Sequence, residues 1–367
     1  MAKKVFVYVG TYTVRFGTNR LSDTKSEGIY VFHLDLQTGS MNLIDKVEAV
    51  NPSYLTLDSR RCFLYAVNEV DEFQGQESGA ASVFKVESDS GKLTFVNQKA
   101  TLGADPCHIV VNDLNTHVFV SNYSSGSVCV FPIANGGLGD AVQLIRHEGS
   151  GVHPKRQTRP HAHSSVLDRA NKYVLVPDLG TDKVMIYRFN RKALQPLEPS
   201  RISFTKMHPG AGPRHGVFHP AGEHFYVINE LDSSISACTY HKDQGTLSLI
   251  HTVPTAPDGA EVSNTTADIH ITPDGRFVYG SNRGHDSIAI YSVDKNTGRL
   301  ECIGFQKTGG RTPRGFAIEP TGSLMLVGNQ DTDNITIFRI DRNTGRLEQI
   351  SETKVPTPVC VRPYLWG

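Results

Sequence analysis

Long apolar runs are missing from this 367-residue chain. No stretch approaches the roughly 20 apolar residues that a membrane-spanning helix needs. The run Val5–Gly10 behind two lysines is shorter than a signal-peptide core, which predicts a cytoplasmic, soluble chain. An excess of either charge is missing too, with 37 Lys and Arg against 37 Asp and Glu. That balance gives no reason to expect nucleic acid or an anionic membrane as partner. Cysteine is sparse: Cys62, Cys107, Cys129, Cys238, Cys302 and Cys360 are scattered, with no C-x-x-C pair. Free core thiols are therefore expected rather than a disulfide or zinc framework. There is no G-x-S-x-G elbow, no H-E-x-x-H and no EF-hand loop. "GAGPRHG" (210–216) has the glycines of a phosphate loop, but it contains a proline and leads into a strand, so a dinucleotide site is excluded. Helical periodicity is absent beyond windows of about ten residues.

What the chain has is a repeat of about 50 residues. Gly10, Asn68, Asn122, Pro177, Asn229, Asn282 and Asn329 close one strand of each copy. Pro52, Pro106, Pro160, Pro213, Thr266, Pro313 and Pro358 open another. An aromatic recurs in the third strand, at Phe32, Phe84, Phe131, Tyr187, Tyr291 and Phe338, with Cys238 in its place in the fifth copy. A glycine turn usually follows. Each copy reads as four antiparallel strands, A to D, and seven such copies predict an all-β, seven-bladed β-propeller. The first copy starts at its B strand, "VFVYVGTYT", and the missing A strand lies at the far end as "TPVCVRP". That permutation predicts a ring closed by the C-terminal strand, and a single domain over 1–367.

Strand A starts and strand B ends on the same face, and the A strands of a propeller line its channel. "RHGVFHPAGEHFYVINE" (214–230) is one such A–B hairpin. A turn between Ala221 and Gly222 sets Arg214 opposite Asn229 and Glu230 opposite Pro213. Across the copies, the B-strand ends contribute Thr11, Glu69, Tyr123, Asp178, Glu230, Arg283 and Gln330. The A-strand starts contribute Cys107-His108, His161-Ala-His163, Arg214-His215, Asp268 and Arg314. The repeated asparagines read as blade structure, and the varied neighbours read as a site. His219 and His224, at the opposite turn, read as solvated. The long connections 12–27, 69–80, 139–159 and 254–265 fall on the site face, and the third carries Lys155, Arg156 and Arg159. His161-x-His163 has metal-ligand spacing, but Pro160 and a longer A–B spacing predict a bulge there, so no metal is expected.

A carboxylate, histidines and arginines without a strong nucleophile suit addition of water to an electrophilic carbonyl such as a lactone. Along its whole length the chain also resembles a known family. "GSVCVFP", "RPHAHSS", "VPDLGTDKVMIYR", "GPRHGVFHP", "VINEL", "ADIHITPDGRFVYGSNRGHDSIAIY" and "PRGFAIEPTG" resemble the lactonase family of seven-bladed propellers, of the 6-phosphogluconolactonase and carboxy-muconate lactonising type. The turns "NDLNTH" and "LDRANK" depart from its usual Pro-Asp-Gly form, on the face away from the site. The resemblance implies a channel-mouth site built from His161 or His163, Arg214, Glu230 and Arg283, with no metal and no cofactor.

The expected reaction is hydrolysis of 6-phosphoglucono-δ-lactone to 6-phosphogluconate, a step of the pentose phosphate pathway. Glu230 is the expected general base, Arg214 polarises the carbonyl, and His163 assists proton transfer. Arg283, His161, His215, Asp268, Arg314 and Gln330 are the expected substrate contacts. Counting Glu69, Asp178, Glu230 and Asp268 against Arg214, Arg283 and Arg314, the ring is no obvious anion trap, so Lys155, Arg156 or Arg20 would have to help. The expected partner is a small-molecule lactone, and the expected assembly a monomer or weak homo-oligomer. Two alternatives remain: an unphosphorylated or muconate-type lactone (as lactonase or lactonising isomerase), and a non-catalytic interaction scaffold.

Overall fold

A computed structural model describes residues 4–14, 24–257, 259 and 263–366. Seven antiparallel sheets form the blades of a β-propeller. The A strands are Pro358–Trp366, Leu55–Leu57, Pro106–Val111, Val166–Leu167, Pro213–Phe218, Thr265–Ile271 and Pro313–Ile318, for blades 1 to 7 in turn. Closure is as the sequence predicts: Lys4–Thr11 pairs with Pro358–Trp366, from Lys4↔Trp366 to Thr11↔Pro358. Blade 3 differs from the four-strand expectation. Its outer position is split between Gly137–Leu138 and Gln143–Arg146, so part of the expected 139–159 loop is strand. Among the described residues no helix is long and apolar enough to cross a membrane.

The core lies between blades. Seven apolar clusters each join two neighbouring sheets, as where Phe6, Tyr8 and Val31 of blade 1 meet Leu55, Leu64 and Phe84 of blade 2. The recurrent third-strand aromatics are all buried there. A polar staple accompanies each of several clusters. The hydroxyls of Tyr8, Tyr65, Tyr226 and Tyr279 donate to the carbonyls of Gly91, Gly136, Gly298 and Gly345, each in the next blade's C–D turn. Glycine is required in these turns because the preceding blade presses on them. At Gly298 φ is 69°, and a Cβ would come within 2.5 Å of the His224 ring. His224 is therefore buried packing and not a solvated turn residue, and His219 lies against Gly275 in the same way.

The strand-end asparagines hold the blades together as expected. Asn68, Asn122, Asn282 and Asn329 donate to the carbonyls of Val50, Thr101, Thr255 and Thr308, which end the D strands or follow them. Asn229 instead donates to Ser234 and Ser236 of its own sheet. These bonds tie each B-strand end to its surroundings and so fix the residue that follows it.

Candidate active site

The A–B hairpins do not keep one register to their mouths. In blade 5, Phe218↔Phe225 through His215↔Ile228 follow the expected pairing, but Asn229 then pairs with Pro213. Arg214 is the extra residue of a bulge and has no partner opposite, which corrects the predicted Arg214–Asn229 pairing. The same slip leaves Cys107 extra in blade 3 and Arg314 extra in blade 7, and a related one falls at Ala267-Asp268 in blade 6. Proline at the strand start has no N–H to give the ladder, so pairing is weakest there, and a bulge re-aims the next side chain. Blade after blade, this delivers a functional group to the channel mouth.

Glu230 is the centre of one side of the mouth. Arg214 Nε lies 2.9 Å from Oε2, Arg283 Nη2 3.0 Å from Oε2, and Arg156 Nη2 2.6 Å from Oε1. Arg156 arrives from the 147–160 connection and also donates to the Tyr123 hydroxyl at 3.0 Å. Its neighbour Gln157, buried, anchors that loop on the Leu179 carbonyl and Asp182. Burial alone would raise the Glu230 carboxyl, but Arg283, Arg156 and Arg214 together hold it far below the usual carboxylate range. Both oxygens are engaged, so Glu230 is a weak proton acceptor.

Arg214 is itself spent. Besides Glu230, its Nη1 donates to the Ala267 carbonyl and to His215 Nε2, and it is 3% exposed. The more open guanidiniums are those of Arg156, Arg283 and Arg314. Arg283 donates to the Thr266 carbonyl at 2.6 Å while its Nε has no partner among the described residues. Burial brings its pKa down to about 10 against the pull of Glu230.

Across the mouth lies Glu69. The Tyr12 hydroxyl donates to it, 3.1 and 3.0 Å from the two oxygens, and Arg314 Nη2 stands 3.9 Å away, stacked over the Tyr12 ring. Burial raises the Glu69 carboxyl above its ordinary value, with Arg314 opposing. Beneath it is a narrow cavity of about 10 Å³.

The histidines sit at two depths. His161 is at the rim, stacked on Tyr123 with Nδ1 3.0 Å from the Tyr123 carbonyl. His163 is deeper, with Nδ1 3.6 Å from Cys107 Sγ and its ring edge-on to His215. The two rings therefore diverge. Among the described residues no three or more His, Cys, Asp or Glu are grouped to hold a metal. His215 accepts from Arg214 at Nε2, so Nδ1 carries the hydrogen and donates to Asp268 Oδ1 at 2.8 Å. Burial and Arg214 lower the His215 pKa to about 4, which keeps it neutral. Asp268 also meets His270 Nε2 at 3.2 Å.

One expected ring member is withdrawn from the mouth. Asp178 is fully buried, bonded by His147 Nδ1 at 2.6 Å and by the N–H groups of His161 and Gly180 at 2.9 Å. Gln330 opens a single 3-10 turn, its Nε2 donates to its own neighbour Asp331, and its Oε1 is buried without a partner among the described residues. Lys155 and Arg159 are exposed, and Arg20 lies outside the described residues. Tyr12, Ser53, Tyr54 and Arg362 were not anticipated; Arg362, over the Tyr54 ring, belongs to the closing strand and was legible as one more A-strand arginine.

The charge balance changes accordingly. Arg156, Arg214, Arg283 and Arg314 are ion-paired with only two carboxylates, Glu69 and Glu230. Asp178 is withdrawn, and Asp268, bonded by neutral His215 and by His270, remains as a third carboxylate beside them. Arg156, which the ring count left out, gives the mouth four ion-paired arginines.

The family model described as lactonase, 7-bladed beta-propeller, matches residues 6–363. The 6-phosphogluconolactonase of Bacillus subtilis is 37% identical over 320 residues, 86% of this chain and 85% of that protein. That of Formosa agariphila is 37% identical over 296 residues, 80% and 82% of the two chains. The solved structure of the periplasmic gluconolactonase of Pseudomonas aeruginosa superposes with a TM-score of 0.90 at 32% identity, covering 98% of this chain and 99% of that one. The chain belongs to the lactonase family of seven-bladed β-propellers.

Proposed function

We propose that this chain hydrolyses a sugar lactone, 6-phosphoglucono-δ-lactone, to 6-phosphogluconate. The names of the relatives support the reaction class. The observation that carries the phosphorylated substrate is the excess of arginine at the channel mouth, where four guanidiniums share two carboxylates. A phosphate group would pair with that excess.

In this reading Arg156, on its anchored loop, turns from Glu230 to the phosphate. Arg283 and Arg314 face the lactone carbonyl and stabilise its oxyanion, a contribution on the order of 3 kcal/mol for one well-placed donor. Glu230 and Arg214 are positioning residues: the carboxylate spreads the arginines, and Arg214 braces it from below. His161, His163 and His215, neutral at pH 7, shape the wall of the site.

A second reading has a specific support. The periplasmic relative from Pseudomonas aeruginosa carries the name gluconolactonase, so an unphosphorylated lactone is the rival substrate. The test follows the loss of freshly prepared 6-phosphoglucono-δ-lactone and of glucono-δ-lactone, each over its spontaneous hydrolysis. The expected result is a kcat/KM at least tenfold higher for the phosphorylated lactone, with the preference fading as salt rises. Equal values would favour the rival, and acceleration of neither lactone would overturn both.

A further inference from the structure

Taking lactone hydrolysis as the reaction, and resting on that reading, we propose that Glu69 is the general base. Its water occupies the cavity walled by Glu69, Ser53, Cys107, Arg214, His215 and Arg314. Three observations carry this. The cavity is polar and, at about 10 Å³, has room for roughly one water molecule. The Ser53 hydroxyl, in a residue 5% exposed, stands beside Glu69, but no described residue meets it with full hydrogen-bond geometry. A buried hydroxyl left dry is costly, so a water beside it satisfies both. Finally, Glu69 keeps open acceptor sites. A carboxylate offers about four lone pairs, and the Tyr12 and Ser53 hydroxyls can fill at most two of them. Arg314 at 3.9 Å is beyond direct hydrogen bonding.

The surroundings suit a base. The titratable and charged groups that face Glu69 are Tyr12, Arg314, Asp105 and Cys107. Burial, and more weakly Asp105, favour the neutral carboxyl; Arg314, Ser53 and Tyr12 oppose them, and burial prevails, leaving a carboxylate with a raised proton affinity. Cys107 is a neutral thiol, because burial pushes its pKa well up. The step balances without any further reagent. The water oxygen bonds to the lactone carbonyl carbon as its proton passes to Glu69, and the carbonyl electrons move to an oxyanion beside Arg314. On collapse the bond from that carbon to the ring oxygen breaks, and the proton on Glu69 goes to the ring oxygen, which becomes the hydroxyl of the product.

The test compares full-length wild type, Glu69→Gln, Glu69→Asp and Glu230→Gln over a pH series with 6-phosphoglucono-δ-lactone, with thermal unfolding recorded for each. The expected result is a 10²–10⁴-fold fall in kcat for Glu69→Gln with KM within about threefold. The acid limb of the wild-type profile should vanish in Glu69→Gln, persist in Glu230→Gln, and move with partial recovery of kcat in Glu69→Asp. An active wild type whose kcat and acid limb survive in Glu69→Gln would overturn the assignment of Glu69 alone. Loss of kcat in Glu69→Gln with an acid limb still present in its residual activity, or unmoved in Glu69→Asp, would also overturn it and turn attention to His161. A wild type that accelerates no lactone would overturn the reaction and the base together.

Discussion

Blades 2 and 5 end their second strands with the same dipeptide, Asn68-Glu69 and Asn229-Glu230, at equivalent places on one ring. Their chemistry has nothing else in common. Glu230 is gripped by three guanidiniums and held as a carboxylate far below the usual range. Glu69 meets two hydroxyls, of Tyr12 and Ser53, and one distant arginine, and its carboxyl is raised. The repeat supplies the position, and the neighbours supply the proton affinity. Two carboxylates pushed in opposite directions within one site are how a fold divides anchoring from proton transfer.

The sharpest way to break this contrast is Arg214→Ala. It strips a buried charge pair on one side only, with an expected loss of about 3–5 kcal/mol of stability. Urea unfolding measures it, and a loss below about 1 kcal/mol would mean that Arg283 and Arg156 neutralise Glu230 without help. The next test sets Glu230→Gln against Glu69→Gln. The depressed pKa of Glu230 means that its stabilisation is present above the unfolded-state value, about 4.5, and is lost as pH falls through the folded one. Glu230→Gln should therefore lower the melting temperature at pH 7 and flatten its decline below about pH 4.5. Glu69 has the opposite sign. Its raised pKa destabilises the fold once pH rises through the folded value, so Glu69→Gln should leave the melting temperature at pH 7 unchanged or higher. Two variants that both destabilise at pH 7 would erase the distinction. The smallest effect is expected from Arg156→Ala, since its side chain is 39% exposed and a pair of that kind is worth less than about 1 kcal/mol. Its melting temperature should hold, while KM for the phosphorylated lactone rises about tenfold and KM for glucono-δ-lactone does not.

Much of this architecture is written in the chain because repetition makes weak local signals add. No single Pro or Asn marks a blade, but Pro52 to Pro358 and Asn68 to Asn329, taken together, fix the period, the ring and the closing strand. The ring members were legible by strand parity, and so was the residue following each asparagine. Three things were not. The bulges at Cys107, Arg214 and Arg314 are departures from pairing, and pattern arguments assume that pairing continues. Asp178 satisfies backbone N–H groups and His147 from a remote connection, which no spacing rule anticipates. Arg156 lies in an irregular loop whose path depends on the burial of Gln157, so the sequence names the loop but not the side chain that reaches Glu230. His224 misled for a similar reason: a polar residue beside a turn is exposed only if no neighbouring blade covers it, and here Gly298 does.

The shared sheet of blade 1 also sets an order in time. The cavity beside Glu69 takes part of its wall from Val359–Arg362, some 290 positions later in translation. A nascent chain that has finished blade 7 already holds every arginine and carboxylate of the mouth that the comparison above concerns. It lacks the strand that encloses the water, and the ribosome has to deliver that strand before Lys4–Thr11 can pair on both edges. Catalysis at Glu69 would thus wait until that strand has been made and has paired with Lys4–Thr11.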